Sequence, residues 1–240
     1  MYDALQGLNA AKERLPPLGG NRLQSSRQVK TADALALLFA AAIVAVFEFY
    51  FHTEFPMNGR RFLAALAITT AFALMAWLAG GVNLTGALAG SAVAFIMAIR
   101  DLRMFLALLV VFAVTLVATR AGYERKQQLR AAEPPGGRTA AQAMANLGMA
   151  ALVVAVAPLH WPVLALAALA EAAADTSSSE IGMAFPGKTI LLTTLKSVPA
   201  GTDGGISLVG TLAALLGAAA VASIAVVPGM VSPRQGIAIV

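Results

Sequence analysis

Seven long apolar runs alternate with polar segments along the chain. They cover about residues 34–51, 62–82, 84–99, 104–119, 147–159, 161–174 and 206–227. A helix that crosses a bilayer needs about 20 residues, so we expect the shorter runs to be tilted or half-length helices shielded by neighbours. Alanine and glycine dominate these runs, and small side chains let helix backbones approach closely in lipid. The pattern predicts an all-α, polytopic transmembrane bundle of six to seven tightly packed spans.

The composition excludes an ordinary soluble domain. Of the 240 residues, 59% are hydrophobic and only 12% are charged, whereas soluble domains carry about 25% charged residues. The absence of cysteine excludes disulfides and thiolate-bound metals. The net charge of +5 relates first to membrane topology and anionic lipid headgroups, and the sequence contains no base-reading motif. We therefore expect no nucleic-acid partner.

Lysine and arginine predict the orientation. One group precedes the first apolar run and the other follows the fourth: Lys12, Arg14, Arg22, Arg27 and Lys30, then Arg120, Arg125, Lys126, Arg130 and Arg138. Because four spans separate the groups, both lie on one side, which the positive-inside rule makes the cytosol. We expect a multi-pass protein of the cell membrane with a cytoplasmic N-terminus, residues 1–32 forming a cytosolic lead. If the next two runs both cross the membrane, they return residues 175–205 to the same side; a re-entrant loop over these residues is the alternative.

The stretch "AAADTSSSEIG", residues 172–182, places acidic and hydroxyl side chains at the end of an apolar run. Charges at membrane depth are costly and usually have a function. Asp175 and the hydroxyls at 178 and 179 share a helix face, from which Glu180 points away unless the helix breaks. Two carboxylates beside hydroxyls are suited to a divalent cation. The alternative is an ordinary capped helix end in solvent.

Residues 182–189, "GMAFPGKT", fit the pattern G-x-x-x-x-G-K-[ST] of a phosphate-binding Walker A loop. That loop follows a β-strand and opens a helix, whereas an Ala/Leu-rich helical run precedes this one. We therefore expect a phosphate-contacting loop on a different fold, with Lys188 as the cation.

Residues 195–210, "LKSVPAGTDGGISLVG", form a glycine-rich loop that ends where the last span begins. Glycines permit positive φ angles, and the free N–H groups at a helix N-terminus attract anions. A plain capped loop is the alternative. In the basic segment, Arg138 and Asn146 are further phosphate candidates, because a guanidinium fork matches phosphate geometry.

Four segments carry a resemblance to a known family. In chain order, "VNLTGALAGSAVAF", "GGRTAAQAMANLGMAAL", "ADTSSSEIG" and "KSVPAGTDGGISLVGTLAALLGA" resemble motifs of the integral membrane family catalogued as domain of unknown function 92. The resemblance runs from about residue 62 to 228, which makes 61–240 the family membrane domain and 33–60 an extra first span and loop. Asp203 stands where the family usually has Asn. The family's final Gly-Ser/Asp-rich motif is not found after Pro233, so we expect a fragment or a shortened member.

The family includes the plastid phytyl-phosphate kinase and looks distantly similar to CTP-dependent polyprenol and phytol kinases. The resemblance therefore implies phosphoryl transfer from CTP or ATP to an isoprenoid alcohol or isoprenyl monophosphate in the membrane. It implies a catalytic set of Asp175, Glu180 and Lys196, in which the two carboxylates bind Mg²⁺. The implied phosphate- and nucleotide-binding residues are Lys188, Gly201, Thr202, Gly204, Gly205, Ser207, Arg138 and Asn146.

A transporter or lipid-phosphate carrier without chemistry is the alternative function. Short, glycine-interrupted spans such as 84–99 and 147–159 resemble the broken helices of carriers. The sequence leaves the isoprenoid, the nucleotide and the oligomeric state open.

Overall fold

The computed structural model describes residues 20–54, 59–129, 131–133, 136–157, 161–185, 187–226 and 231–240. Each of the seven apolar runs lies mostly on a helix, and the predicted all-α membrane bundle is confirmed. The helices are α1 Gly20–Glu54, α2 Gly59–Leu78, α3 Leu84–Arg100, α4 Leu102–Arg120, α5 Tyr123–Gln128, α6 Ala140–Val156, α7 Trp161–Ala184, α8 Leu208–Val226 and α9 Pro233–Ile239.

Two sets of apolar helices differ in length. Three helical stretches are long and apolar enough to cross a membrane, namely Gln28–Phe49, Gly59–Leu78 and Leu102–Arg120. Shorter apolar helices cover Leu84–Arg100, Ala140–Val156 and Leu208–Ile224. The short helix α3 contacts α1, α2, α4 and α6, so its neighbours shield it as the sequence predicted.

Small side chains form the core of the bundle. Ala89, Ala150 and Ala170 are fully buried, as are many other alanines. Helices α7 and α8 share the most extensive packing between described elements, and a Cβ atom at Gly210 would lie only 2.7 Å from the Ser178 carbonyl oxygen. Larger apolar side chains such as Leu216 point outward instead. Small residues inside and large apolar residues outside are expected where lipid, and not water, surrounds the helices.

Three connecting segments meet at one end of the bundle, which we call the loop end: residues 79–83, the described residues of 121–139, and 185 with 187–207. The Arg138 N–H donates to the Gly81 carbonyl oxygen over 3.1 Å, and Gly122 lies directly against Ala184. At the opposite end, the Arg100 guanidinium donates to the Ala157 carbonyl oxygen over 3.3 Å and lies over the Trp161 ring.

A small antiparallel sheet at the loop end was not predicted. Its strands are β1 Thr189–Leu191, β2 Ser197–Val198 and β3 Gly205–Ser207, in the order β2-β1-β3. The "GMAFPGKT" segment therefore runs from helix α7 into strand β1, the reverse of the order in a Walker A loop. The expectation that this segment belongs to a different fold is confirmed.

Helix α1 begins at Gly20, inside the stretch predicted as a cytosolic lead, and residues 1–19 of that lead lie outside the described residues. It packs against α3 and α6. The predicted extra first span is thus part of the same bundle as the helices of the predicted family domain.

Candidate functional site

A polar cleft of about 480 Å³ lies at the loop end between α7, α8 and the glycine-rich turn. Its lining includes the side chains or backbone of Asp175, Ser178, Ser179, Thr189, the turn Gly201–Gly205, Ser207 and Thr211. The structure therefore brings Asp175 together with five predicted phosphate-binding residues, namely Gly201, Thr202, Gly204, Gly205 and Ser207. Asp203, whose identity departs from the family pattern, adds a second carboxylate to the same cleft.

The turn owes its shape to its glycines. Gly201 and Gly204 adopt φ angles of 85° and 73°, a region that other L-residues rarely occupy. The Gly205 N–H donates to the Thr202 carbonyl oxygen over 2.9 Å and closes the turn. Ser207 then caps α8, because its Oγ accepts the Gly210 N–H over 3.1 Å. The turn thus leads directly into a helix N-terminus beside the cleft.

The cleft is rich in oxygen lone pairs. The hydroxyl of Ser179 donates to the Asp175 carbonyl oxygen over 2.9 Å, and that of Thr211 donates to the Ser207 carbonyl oxygen over 3.0 Å. Because these protons are engaged within the helices, the hydroxyl oxygens remain acceptors. With the exposed carboxylates of Asp175 and Asp203, they form a set suited to a hard cation.

Glu180, predicted to bind the metal with Asp175, does not line this cleft. Glu180 lies five positions after Asp175, so the two side chains leave α7 on different faces. The Glu180 carboxylate instead pairs with Lys126, whose Nζ lies 2.6 Å from Oε2. That ammonium is fully buried and also donates to the carbonyl oxygens of Ala118 and Thr119 at the end of α4. All three of its protons therefore have acceptors.

The predicted metal pair is thus not brought together. Across the described ranges, no three His, Cys, Asp or Glu side chains form a metal-binding group. A cation in the cleft would therefore take its remaining ligands from a bound phosphate or from water, as Mg²⁺ commonly does. The charge pattern attributed Lys126 to membrane topology alone. In the structure its buried ammonium binds Glu180 and joins α5 to α7.

Four further predicted residues lie away from the cleft lining. Lys188 and Lys196 are exposed at the loop end. Arg138 and Asn146 line a second cavity, a mostly apolar groove of about 210 Å³ between α2, α3, α4 and the start of α6. The structure therefore divides the predicted phosphate-binding set between two cavities.

The sequence analysis missed a buried carboxylate in α1. Asp33 Oδ1 accepts the Ala141 N–H over 3.1 Å, and its Oδ2 accepts the Thr85 hydroxyl over 2.8 Å. One side chain thereby holds the N-terminal turns of α6 and α3. The sequence signal that could have revealed Asp33 is a single acidic residue at the edge of the first apolar run.

The start of α6 was also readable from the sequence. Thr139 and Gln142 form a capping box, in which each side chain accepts the other residue's backbone N–H. The spacing T-x-x-Q marks such a helix start. This cap lies directly after Arg138 and fixes the point at which α6 begins.

Comparison with known proteins identifies the family. Residues 67–240 match the family described as integral membrane protein DUF92. The chain belongs to this family. The family membership that the four sequence motifs predicted is confirmed. No solved structure matches the chain.

Individual relatives come from bacteria, archaea and plants. The chain is 33% identical over 138 residues to the uncharacterized membrane protein sll0875 of Synechocystis sp., covering 54% of each chain. It is 29% identical over 162 residues to the uncharacterized membrane protein MJ0933 of Methanocaldococcus jannaschii, covering 66% of this chain and 67% of that protein.

A plant relative shows higher identity over a shorter stretch. Protein VTE6, chloroplastic, of Arabidopsis thaliana is 49% identical over 61 residues, which is 25% of this chain and 18% of that protein. The chain thus spans about half the length of the cyanobacterial relative and matches less than a fifth of the plant one.

Proposed function

We propose that the protein is a nucleotide-dependent kinase of an isoprenoid alcohol or isoprenyl monophosphate. The observation that carries the proposal is the cleft itself, in which Asp175, Asp203 and a glycine turn at a helix N-terminus surround one polar space. This space lies at the end of an otherwise apolar bundle. Family membership supports the same reaction class, because the resemblance of the four motifs implies the chemistry of the family's phytyl-phosphate kinase.

Phosphoryl transfer depends mainly on positioning and on neutralising charge at the phosphate oxygens. Asp175 and Asp203 are the residues that would hold Mg²⁺, and the ion would supply positive charge to offset that of the phosphates of CTP or ATP. The N–H groups of Thr202 and Gly205 donate within the turn, so those of Gly201, Asp203 and Gly204, which also line the cleft, are the backbone donors that would contact a phosphate. The exposed side chains of Lys188 and Lys196 attract the nucleotide from solution without lining the cleft.

The loop end faces the cytoplasm in this proposal. Described basic residues gather there, among them Lys30, Arg120, Arg125 and Lys188. The positive-inside rule assigns such an end to the cytosol of the cell membrane. Soluble nucleotide is present on that side, and the lipid acceptor reaches the same level from the bilayer.

Replacing Asp175 tests the proposal. In purified protein with Mg²⁺, CTP or ATP, and a prenyl alcohol or prenyl phosphate, Asp175→Asn should lower phosphoryl transfer at least 100-fold, because it removes a charged cation ligand. Glu171→Gln is the matched control. It neutralises an exposed carboxylate one turn earlier on α7, outside the cleft lining. Equal rates for wild type and Asp175→Asn would refute the catalytic role of the cleft.

One observation favours the carrier alternative. Arg138 and Asn146 line a groove separate from the Asp175 cleft, so a lipid headgroup could bind there without meeting a nucleotide. Lipid counterflow in liposomes without nucleotide, together with no nucleotide consumption when lipid is added, would establish a carrier. Lipid-dependent nucleotide consumption would establish the kinase.

A further inference from the structure

The apolar groove reaches deep into the bundle. Both Leu108 and Arg120 of α4 line it. They are twelve residues apart, so the groove follows α4 for roughly 18 Å at about 1.5 Å per residue. That distance is more than half of a hydrocarbon core about 30 Å thick. The groove therefore connects the loop end with the middle of the apolar zone.

Aromatic walls and a floor of small residues give the groove its shape. Phe72 of α2 packs edge-to-face against Phe112 of α4, with ring centroids 5.2 Å apart. The floor is formed by α3, where a Cβ atom added at Gly90 would meet nothing within 4 Å. A glycine inside a helix costs about 1 kcal/mol relative to alanine. Close packing does not account for Gly90, and its effect is to widen the groove.

Two buried polar atoms lack a hydrogen-bond partner among the described residues, and both line this groove. They are the hydroxyl oxygen of Thr119 and the Nε of Arg138. A buried polar group without a partner costs about 1–3 kcal/mol and calls for an explanation. Each of these groups can donate a proton, so an acceptor oxygen bound in the groove would give it a partner.

The mouth of the groove carries more positive than negative charge. Arg120 and Arg138 line it together with a single carboxylate, that of Glu133, which lies 3.0 Å from Arg138 Nη2. Arg120 donates to the Ala79 carbonyl oxygen over 2.6 Å, which holds its guanidinium at this end. Two guanidinium groups beside a hydroxyl form a site for phosphate oxygens.

We infer that this groove binds a single-chain lipid with a phosphate head, the chain lying between α2 and α4 and the phosphate lying at Thr119, Arg120 and Arg138. A volume of about 210 Å³ is below the usual range of ligand pockets, about 300–1,000 Å³, and suits one slender chain better than the two chains of a phospholipid. The identification of that chain as prenyl rests on the proposed function.

Equilibrium binding without nucleotide tests the inference. Geranylgeranyl monophosphate is titrated into the purified protein in nanodiscs of neutral lipid, with geranylgeraniol as the uncharged comparison. Wild type should bind the phosphate at least tenfold more tightly than the alcohol. Thr119→Val should lower phosphate affinity about tenfold, as expected for one lost hydrogen bond to a charged oxygen. It should leave the melting temperature unchanged or higher, because the hydroxyl has no partner among the described residues.

A second variant tests the chain site. Gly90→Phe fills the floor of the groove and should reduce the affinity for both the phosphate and the alcohol at least tenfold. Ala64→Phe is the matched control, since it adds the same bulk at an exposed position of α2 outside the groove lining. If Gly90→Phe fails to fold, Thr119→Val alone decides the result.

Wild-type affinity for the phosphate in Thr119→Val, or in a folded Gly90→Phe, would overturn the inference. So would displacement of geranylgeranyl monophosphate by phosphatidylglycerol at equal concentration, which would indicate a general anionic-lipid site. The reaction is measured separately. Binding as expected without turnover would refute only the kinase, whereas turnover with unaltered binding in both variants would refute only the groove.

Discussion

The polar cleft and the apolar groove open at the same end of the bundle but have opposite chemistry. The cleft presents carboxylate and hydroxyl oxygens, with Asp175 and Asp203 as its charges. The groove presents apolar walls and ends in Arg120 and Arg138. An oxygen-rich site attracts a cation, and a guanidinium site attracts an anion. Residues that belong to one ordered set of sequence motifs therefore line two cavities of opposite chemistry.

The junction of α4, α5 and α7 separates the two cavities. Tyr123 of α5 lines the groove, whereas Met183 of α7 lines the cleft. Arg125 Nε donates to the Met183 carbonyl oxygen over 3.1 Å. The buried Lys126–Glu180 pair lies within the same junction. Glu180 thus belongs to this junction and lines neither cavity.

Breaking that pair should produce the largest effect on stability. Lys126→Met leaves the Glu180 carboxylate buried without its ammonium partner, which costs about 3–5 kcal/mol. Thermal unfolding in detergent measures the loss, and adding Glu180→Leu should recover much of it. Glu180→Gln should also lower stability, while the Mg²⁺ dependence of turnover per folded molecule stays unchanged. A changed Mg²⁺ dependence in Glu180→Gln would place this carboxylate in the cleft.

Arg138 distinguishes the two cavities kinetically. Because it lines the groove, Arg138→Gln should raise the KM for prenyl phosphate about tenfold and leave the KM for nucleotide within about twofold. Steady-state kinetics with each substrate varied in turn provides the measurement. The reverse result, a higher KM for nucleotide alone, would return Arg138 to the nucleotide site predicted from the sequence.

Asp101, at the opposite end, offers a comparison remote from both cavities. Its carboxylate caps α4 by accepting the Arg103 N–H over 2.8 Å, so Asp101→Ala should cost about 1 kcal/mol. Unfolding measurements should show this loss while lipid and nucleotide binding remain at wild-type levels. Altered binding at either cavity would show that the two ends of the bundle are coupled.

The same residue predicts a pH dependence. Burial raises the pKa of Asp101, but hydrogen bonds and charge from Arg103 outweigh burial, so the net pKa is below its ordinary value. Because the folded-state pKa is depressed, the ionised Asp101 carboxylate stabilises the fold at pH values above its unfolded-state pKa of about 3.9. The contribution is lost as the pH falls through the folded-state pKa. Asp101→Asn, which keeps the cap, should abolish this part of the acid sensitivity.

Asp203 should produce the smallest effect. Asp203→Asn restores the residue usual in the family and removes one charged oxygen from the cleft. In the proposed kinase, the Mg²⁺ concentration for half-maximal turnover should rise about threefold, since Asp175 and the phosphates would still hold the ion. A magnesium titration measures the shift. An unchanged midpoint would show that Asp203 does not contact the cation.

The sequence by itself determined the helical membrane bundle, because seven apolar runs and too few charges permit no soluble alternative. It also located the glycine turn and the acidic end of α7, since glycine and hydroxyl residues carry local conformational preferences. The small sheet escaped prediction because its strands are two or three residues long and depend on pairing across the loop.

Only the tertiary structure decided which polar residues meet. Glu180 and Asp175 are neighbours in sequence but leave α7 on different faces, and Lys126 reaches Glu180 across 54 positions of the chain. Likewise, Arg138 is fixed beside Gly81 by hydrogen bonds between segments remote in sequence. Local patterns fix the direction in which a side chain leaves its helix. Helix packing then sets the partner that the side chain finds.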